Sequence, residues 1–273
     1  MNIKDPHRFS NQLEQEVTQQ IINRLESRAK NRVFTRLFHQ YAEFLEFNDS
    51  TRILDIGCGT GVISRSLAKR AHFSGKVIGV DQSEPFVNAA RKFSAEEGVD
   101  HVVEYMVCDG HQLELDDASF DIAIAHTLIS HAAEPSKIIS ELARVVKKGG
   151  AVVLFDGDYS SLTYAVPDHE FGRRMDSALA IASFNNPYIM RDLISILPSH
   201  GFEVTKMLAD VVCEVGEASY FASFADTYAP LVVSSGLIRQ QELDQWTAMI
   251  NRKKEEKTFF AACNYYTYIA RKI

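Results

Sequence analysis

Short apolar runs alternate with amphipathic stretches along most of the chain, beginning near residue 50. The runs are rich in Val, Ile and Leu and do not alternate strictly with polar residues, as is typical of buried parallel strands. Strands that alternate with helices predict an α/β fold, in which a mostly parallel sheet carries helices on both faces. We expect seven strands, over residues 52–56, 76–80, 103–108, 120–125, 151–155, 202–215 and 258–271.

The segments between these strands show helical periodicity. A helix starts near Ser83, which suits an N-cap, and another covers residues 136–146 before the stop signal of Gly149 and Gly150. The alternation becomes less regular after residue 160, where four further helices are expected. They cover residues 168–182, 190–199, 218–233 and 240–256.

The sequence indicates one sheet-containing domain. No low-complexity linker or internal repeat interrupts the chain, so a separate second domain is not expected. We predict a main domain over residues 48–273 with helical insertions at about 160–200 and 217–257. These insertions, together with helices at the amino terminus, are expected to form a lid.

Two amphipathic helices precede the first strand. The first covers residues 11–30, where Asn11 and Glu14 have the spacing of a capping box, and the second covers 32–47. We expect residues 1–47 to form an amino-terminal helical cap that packs on the sheet, covers a ligand cleft or meets a second subunit in a homodimer. The apolar stripe of the first helix recurs at every fourth position, at Leu13, Val17, Ile21 and Leu25.

The composition narrows the classes of partner. A net charge of −7 argues against a broad surface for nucleic acid or for an anionic membrane. No apolar stretch approaches the length of a membrane span, and the first residues lack the apolar core of a signal peptide. The four cysteines have no CxxC spacing, so we expect no zinc site and a reducing, cytoplasmic environment.

A glycine-rich turn joins the first strand of the sheet to the next helix, in the sequence ILDIGCGTGVIS. Gly57, Gly59 and Gly61 alternate there, which lets the backbone pass close to a ligand. Asp55 lies at the carboxyl end of the strand, where open α/β sheets bind ligands. The dinucleotide fingerprint GxGxxG would need glycine at Val62, so a pyrophosphate ligand is not favoured.

The pattern Asp-x-Gly-x-Gly-x-Gly in this turn resembles motif I of the class I S-adenosylmethionine-dependent methyltransferases. The stretch FDIAIAHTLISHAAEPSKIISELARVVKKGG also resembles the fourth-strand segment of the ubiquinone/menaquinone-type enzymes, although Lys148 stands where their pattern has Pro. The resemblance covers about residues 50 to 158. It implies a Rossmann-like fold, S-adenosylmethionine as cofactor and S-adenosylhomocysteine as product.

The resemblance also implies which residues bind the cofactor. Asp81 ends the second strand, where the family's acidic residue binds both ribose hydroxyls, and a carboxylate can accept two such hydrogen bonds. Asp109 and Gly110 follow the third strand, where the family contacts the adenine edge. Asp55 orders the glycine loop and meets the amino acid portion of the cofactor, or acts only as a structural cap. The expected cofactor-binding set is Asp55, Gly57, Cys58, Gly59, Gly61, Asp81, Gln82, Asp109, Gly110 and His126.

Candidate catalytic residues follow the fourth and fifth strands. Methyl transfer is an in-line displacement, and a phenol or protonated amine must also lose a proton. His126, His131 and Asp158 are the candidates for that proton transfer, and Asp156 lies beside them. Each has a purely structural alternative, because histidine can cap a helix and aspartates beside Gly157 can form a turn. No pattern of ligands completes a metal site, so no metal is expected.

Aromatic residues dominate the region that should supply the acceptor pocket. Their density favours a small aromatic or lipophilic metabolite, methylated on O, N or C, although helix packing explains at least half of them. The alternatives are a non-methylating reaction on the same fold, methylation of RNA or protein, and an NAD-dependent oxidoreductase. The aromatic residues are Tyr164, Phe171, Phe184, Tyr188, Tyr220, Phe221, Phe224, Tyr228 and Trp246.

Overall fold

The structure is a computed structural model that describes residues 15–48, 50–71 and 73–273. Over these residues the chain forms one seven-stranded sheet and nine helices. The strands are β1 Arg52–Ile56, β2 Lys76–Asp81, β3 Val103–Val107, β4 Phe120–His126, β5 Val146–Tyr164, β6 Phe202–Gly216 and β7 Phe259–Lys272. The helices are α1 Gln15–Lys30, α2 Arg32–Ala42, α3 Val62–Ala68, α4 Glu84–Glu96, α5 Pro135–Val145, α6 His169–Ser183, α7 Ile189–Ser199, α8 Tyr220–Ser234 and α9 Gln240–Glu255.

The strands lie in the order β3-β2-β1-β4-β5-β7-β6. The first five strands in this order are parallel to one another, and β7 runs antiparallel to both β5 and β6. The predicted fold, a mostly parallel seven-stranded sheet with helices, is confirmed. The order reverses between β1 and β4, and open sheets of this kind bind ligands in the crevice at such a reversal.

Both faces of the sheet are buried. Successive residues of β1 belong to different apolar clusters: Ile53 packs in the cluster that includes α2, α6 and α8, whereas Leu54 packs in the cluster that includes α5 and α7. Ile124 and Ala125 of β4 divide in the same way. Because helices cover both faces of the sheet, the side chains on both sides of these strands are apolar, and the sequence shows continuous apolar runs.

Strand β5 is much longer than predicted. The expected strand covered residues 151–155, but β5 is 19 residues long, and it begins directly after α5. Antiparallel β7 extends it, pairing from Ala151 opposite Arg271 to Tyr164 opposite Ala261. The glycines predicted to stop the preceding helix, Gly149 and Gly150, therefore lie inside the strand, as do the aspartates predicted to follow it.

The buried face of α1 differs from the predicted stripe. Val17 is 38% exposed, whereas Ile21 and Ile22 are buried. The physical reason is that four residues turn an α-helix by about 40° more than one turn, so a strict four-residue series drifts off one face. Ile21 and Ile22 pack against Phe86 of α4. The predicted capping box and Leu13 fall outside the described residues.

Helix α2 ends five residues earlier than predicted, at Ala42. The amide of Phe44 donates to the carbonyl of Tyr41, and that of Leu45 donates to Ala42. These bonds span three residues rather than four, so they tighten the last turn and rotate the chain off the helical face. As a result Phe44 is 47% exposed, while Leu45 is buried. Among the described residues, no helix is long and apolar enough to cross a membrane.

Candidate active site

A cavity of about 850 Å³ lies at the carboxyl ends of β1, β2 and β4. The glycine loop between β1 and α3 forms its floor, and α1 and α2 cover it from the opposite side. Its volume lies toward the upper end of the roughly 300–1,000 Å³ of ligand pockets. Nine of the ten residues predicted to bind a cofactor line the cavity: Asp55, Gly57, Cys58, Gly59, Asp81, Gln82, Asp109, Gly110 and His126. The tenth, Gly61, lies in the glycine loop but is not a lining residue.

The glycine loop has a backbone conformation that excludes side chains. Gly57, Gly59 and Gly61 have φ values of 69°, 53° and 77°, in the left-handed region. A Cβ atom on Gly57 would also lie 2.7 Å from the Leu128 side chain. The amides of Gly57 and Cys58 both donate to the carbonyl of Val80, which ties the loop to β2.

Asp55 holds the start of α3. Its carboxylate is buried and accepts hydrogen bonds from the Ser64 amide (3.1 Å) and the Ser64 hydroxyl (2.6 Å). Burial raises the pKa of Asp55 to about 7, although the bonds from Ser64 act in the opposite direction. Asp55 therefore ties the end of β1 to α3, and the same side chain also lines the cavity.

Asp81 lies at the end of β2, beside the glycine loop. One carboxylate oxygen accepts from the Gly59 amide and the other accepts from the Ser83 amide, both at 2.9 Å. Ser83 is the N-cap residue of α4, as predicted, although its side chain makes no capping bond. Each carboxylate oxygen can accept a second hydrogen bond, which leaves two acceptor positions for a ligand.

Asp109 and Gly110 form the wall beyond β3. The amide of His111 donates to Asp109 at 2.9 Å, and Nδ1 of His111 lies 2.7 Å from the same oxygen. Burial acts to raise the pKa of Asp109, but these bonds outweigh it and the pKa is lowered. A Cβ atom on Gly110 would lie 3.0 Å from Ile138 and 3.1 Å from Ile56, so the chain packs tightly there.

His126 ends β4 and has a partner on the helical cover. Its Nδ1 lies 2.9 Å from the hydroxyl oxygen of Tyr41 in α2, and its ring stacks on Phe155 with a centroid separation of 4.3 Å. Burial, with a contribution from the nearby Arg28 charge, lowers the pKa of His126 well below its ordinary value. Burial raises the pKa of Tyr41, so its phenol is protonated. The lowered pKa of His126 leaves the imidazole ring neutral.

His131 lines the cavity and lies in the segment between β4 and α5, shortly after His126. Its ring lies 4.9 Å from that of Phe184, and its carbonyl accepts from the Asn185 side chain. Asp156 lies behind it, where its carboxylate accepts from the amides of Ser130 and Gly157. Burial raises the pKa of Asp156, and the proximity of His131 partly offsets this. Asp156 itself is not among the lining residues.

Asp158 is placed away from the cavity. Its carboxylate is 1% exposed, forms an ion pair with Arg191 at 2.8 Å and accepts from the Ser160 hydroxyl at 2.5 Å. It does not line the cavity. The sequence placed it in a turn after the fifth strand, whereas β5 continues through it and pairs it with Asn264 of β7.

The predicted aromatic residues divide into those that line the cavity and those that do not. Phe184, Tyr220 and Tyr228 line the cavity, and so does Tyr159, which the sequence did not single out. Tyr159 and Phe184 stack with centroids 3.4 Å apart. The other predicted aromatic residues do not line the cavity; they are Tyr164, Phe171, Tyr188, Phe221, Phe224 and Trp246.

Polar residues of α1 contribute to the site, although no feature of the sequence identifies them as site residues. Glu26 accepts from the Thr60 hydroxyl (2.6 Å) and from Arg65 (2.7 Å), which ties α1 to the glycine loop. Arg28 donates to the Thr127 hydroxyl at 2.9 Å. Thr127 has a φ of 57°, a strained value for a β-branched residue beside the cavity. In sequence these residues look like the solvated face of an amphipathic helix.

No group of three or more His, Cys, Asp or Glu side chains in the described part of the chain is arranged to hold a metal ion.

The strand order, the glycine loop after β1 and the carboxylate at the end of β2 together define a class I methyltransferase fold. Residues 54–154 match the family model described as a methyltransferase domain. The resemblance seen in the sequence is therefore confirmed over residues 54–154. A ubiquinone biosynthesis O-methyltransferase from Aeromonas salmonicida is 33% identical over 104 residues, which are 38% of this chain and 42% of that protein.

Solved structures show the same fold. A methyltransferase-like protein from Bacillus halodurans superposes with a TM-score of 0.63 at 20% identity, covering 86% of this chain and 98% of that one. The [4+2]-cyclase SpnF superposes with a TM-score of 0.55 at 22% identity, covering 87% of this chain and 80% of that one. The chain spans less than half the length of the curated relatives it matches.

Proposed function

We propose that this protein transfers a methyl group from S-adenosylmethionine to a small aromatic or lipophilic metabolite, on oxygen, nitrogen or carbon. The observation that carries the proposal is the pairing of the glycine loop with Asp81 at the floor of a covered cavity. Bound there, the cofactor supplies a methyl group that its sulfonium already activates.

The residues present fit this cofactor. Asp81 keeps two acceptor positions, which suit two adjacent ribose hydroxyls. Gly57 and Gly59 present backbone without side chains, so a ligand can approach closely. Asp109 and Gly110 close the side where we place the adenine edge, with Gln82 and Cys58 completing the lining. The amino acid portion then lies toward Asp55 and His126.

We assign His126 to binding rather than to proton abstraction. Tyr41 is a protonated phenol whose hydrogen-bond partner in the described residues is Nδ1 of His126. If Tyr41 donates, Nδ1 is the acceptor, and the neutral ring carries its proton on Nε2. An Nε2–H group donates a hydrogen bond toward the cavity and cannot accept the acceptor's proton.

His131 remains our candidate for the proton transfer that an O- or N-acceptor requires. It lines the cavity beside Phe184, and buried Asp156 lies close enough for the two groups to influence each other. A carboxylate behind a histidine stabilises the imidazolium that forms when the ring takes a proton. Asp158 is not included, because its carboxylate pairs with Arg191 outside the cavity.

The acceptor compartment is proposed on the side of the aromatic wall. Tyr159, Phe184, Tyr220 and Tyr228 offer flat apolar surfaces that suit an aromatic or lipophilic molecule. The cover of α1 and α2 over the cavity supports a small acceptor over RNA or protein. We propose that residues 1–47 act as a cap and the later helices as insertions that complete the lid. A homodimer, a cytoplasmic location and the lack of nucleic-acid partners stay predictions.

A second candidate is a non-methylating reaction on the same fold. The similarity to a protein described as a [4+2]-cyclase supports keeping it, because the shared fold does not distinguish the two activities. Production of S-adenosylhomocysteine during turnover separates them, since only methyl transfer converts the cofactor.

The test uses methyl-labelled S-adenosylmethionine, the purified protein and a fractionated extract of its source cells, with Asp81→Asn protein as the control. We expect label in an organic-soluble small molecule with the wild type and none with the variant. Label in RNA or protein would contradict the proposed acceptor class. Tight cofactor binding without any transfer of label would favour the second candidate.

A further inference from the structure

Arg24 of α1 lies inside the aromatic wall of the cavity. Its guanidinium carbon is 4.5 Å from the ring centroid of Tyr228, 5.4 Å from that of Phe224 and 5.9 Å from that of Tyr220. Arg24, Tyr220 and Tyr228 all line the cavity. A cation therefore stands in the compartment that we assign to the acceptor.

No carboxylate pairs with this cation in the described part of the chain. Its Nε atom is buried without a hydrogen-bond partner. The Nε atom of Arg65 also lacks a partner and that side chain is more fully buried, but its guanidinium binds both Glu26 and Glu97, so its charge is paired. Burial acts to lower the pKa of Arg24, but the neighbouring tyrosines outweigh it and the pKa is raised, so the group stays charged.

A partly buried cation without an anion is unfavourable. Stacking on aromatic rings and a hydrogen bond to the Tyr228 side chain offset part of the cost of removing the Arg24 guanidinium from water, but they leave its charge unpaired and its Nε–H donor unsatisfied. A ligand that brings an oxyanion satisfies both the charge and this donor. The planar fork of arginine matches carboxylate and phosphate oxygens in a bidentate geometry.

Arg28, one turn further along α1, lines the same cavity but has a hydrogen-bond partner of its own. It donates to Thr127 and influences the pKa of His126, which places it near the carboxyl end of β4. Arg24 instead contacts the rings of α8. The Arg28 charge also acts on the pKa of Tyr159 in the aromatic wall, but its guanidinium is hydrogen-bonded to Thr127, whereas that of Arg24 stacks on the rings of α8.

We propose that the acceptor carries an acidic oxyanion group, a carboxylate or a phosphate, and that Arg24 binds this group against Tyr220 and Tyr228. The inference rests on the proposed function and specifies its substrate class. The apolar part of the acceptor packs on the aromatic wall, and the anion fixes its orientation. Arg24 is then a specificity-determining residue and takes no part in the proton transfer.

The test compares matched small probes on protein loaded with S-adenosylhomocysteine. The probes are 2-naphthoate with 2-naphthamide, 2-naphthyl phosphate with 2-naphthol, and benzoate with benzamide, each measured by calorimetry. We expect the wild type to bind at least one acid about tenfold or more tightly than its neutral partner, because hydrogen bonds to charged groups are the stronger ones. Whether the carboxylates or the phosphate show the larger ratio distinguishes the two groups.

Three variants make the test specific. Arg24→Gln should bring the acid preference to about one, while Arg24→Lys should keep part of it, since the charge remains without the fork. Arg32→Gln removes the same charge at an exposed position outside the cavity and should leave the preference unchanged. Binding of S-adenosylhomocysteine within about twofold of the wild type establishes that each variant is folded.

The inference is overturned if the wild type shows no acid preference for any pair, or if the preference survives Arg24→Gln. These results do not depend on methyl transfer, since the ratio is measured without turnover on protein that has bound S-adenosylhomocysteine. Failure of the proposed function would instead appear as absent cofactor binding or absent methyl transfer.

Discussion

The Tyr41 hydroxyl oxygen lies 2.9 Å from Nδ1 of His126, across 85 residues of sequence. Tyr41 belongs to the helical cover and His126 to the sheet, so this bond joins the two walls of the cavity. It also occupies Nδ1 of the histidine, so Nε2 is the ring nitrogen that this bond leaves for a ligand. A hydrogen bond to one ring nitrogen commonly selects the tautomer of a functional histidine.

Nitrogen NMR of His126 tests this assignment directly. The wild-type ring should be neutral at pH 6–8 and protonated on Nε2, and Tyr41→Phe should give a mixture of both neutral tautomers. The same substitution removes one buried hydrogen bond, so it should lower the free energy of unfolding by about 1–2 kcal/mol, measured by urea denaturation. An Nδ1–H tautomer in the wild type would contradict the binding role and restore His126 as a candidate base.

Asp81→Asn should weaken S-adenosylhomocysteine binding by about 100-fold or more. The variant loses the charge that strengthens the expected bonds to the ribose, and each such bond contributes about 1.5–3 kcal/mol. Calorimetry measures the affinity, and Asp100→Asn, at an exposed turn position, is the matched control. Affinity within a few-fold of the wild type would show that Asp81 only orders the loop through Gly59 and Ser83.

Gly57→Ala and Gly98→Ala form a matched pair, because both glycines have a φ of 69°. A Cβ atom on Gly98 meets nothing within 4 Å, so that variant should lose only the backbone cost of about 1–2 kcal/mol. Gly57→Ala adds the clash with Leu128 and should lose more stability, together with cofactor affinity. Chemical denaturation and calorimetry measure the two effects. Equal losses of stability in both variants would mean that the glycine loop accommodates a Cβ atom on residue 57 without a further cost.

Asp176 of α6 should make stability fall with pH. Burial raises its pKa to about 7, while in the unfolded chain it is near 3.9, so the folded state holds the proton more tightly. Its contribution is fully present below pH 4 and is lost as pH rises through about 7. The difference in unfolding free energy between wild type and Asp176→Asn should therefore change across that window. A pH-independent difference would show that the buried carboxyl has an ordinary pKa.

Local chemistry explains what the sequence predicted well. The glycine loop, Asp55 and Asp81 are close to strand ends, and strand ends converge at one edge of a parallel sheet, so the floor of the cavity follows from the order of strands. The length of β5 did not follow, because its extension depends on β7, which lies about 100 residues later.

The cover of the cavity shows the limit of this reasoning. Arg24, Glu26 and Tyr41 have the spacing of ordinary amphipathic helices, and nothing local indicates that they reach the sheet. Their partners, such as Thr60 and His126, are distant in sequence and are defined only by how α1 and α2 pack. The position of Asp158 outside the cavity lining could not be predicted either, because its partner, Arg191, lies in α7 and is distant in sequence.

Glu26 provides the test of whether α1 acts as a lid. Its carboxylate binds Thr60 and Arg65, so Glu26→Gln should weaken the attachment of α1 to the glycine loop while keeping the side-chain shape. We expect hydrogen exchange of α1 amides to rise by about tenfold, and S-adenosylhomocysteine to dissociate faster, because buried charge-assisted bonds contribute most to such contacts.

The control for this prediction is Glu43→Gln, at the exposed end of α2. It removes the same charge without touching the loop, so exchange in α1 and ligand dissociation should match the wild type. If Glu26→Gln increases exchange in α1 but leaves dissociation unchanged, α1 opens without controlling the ligand. That outcome would reject the lid and leave α1 as a fixed wall that carries Arg24.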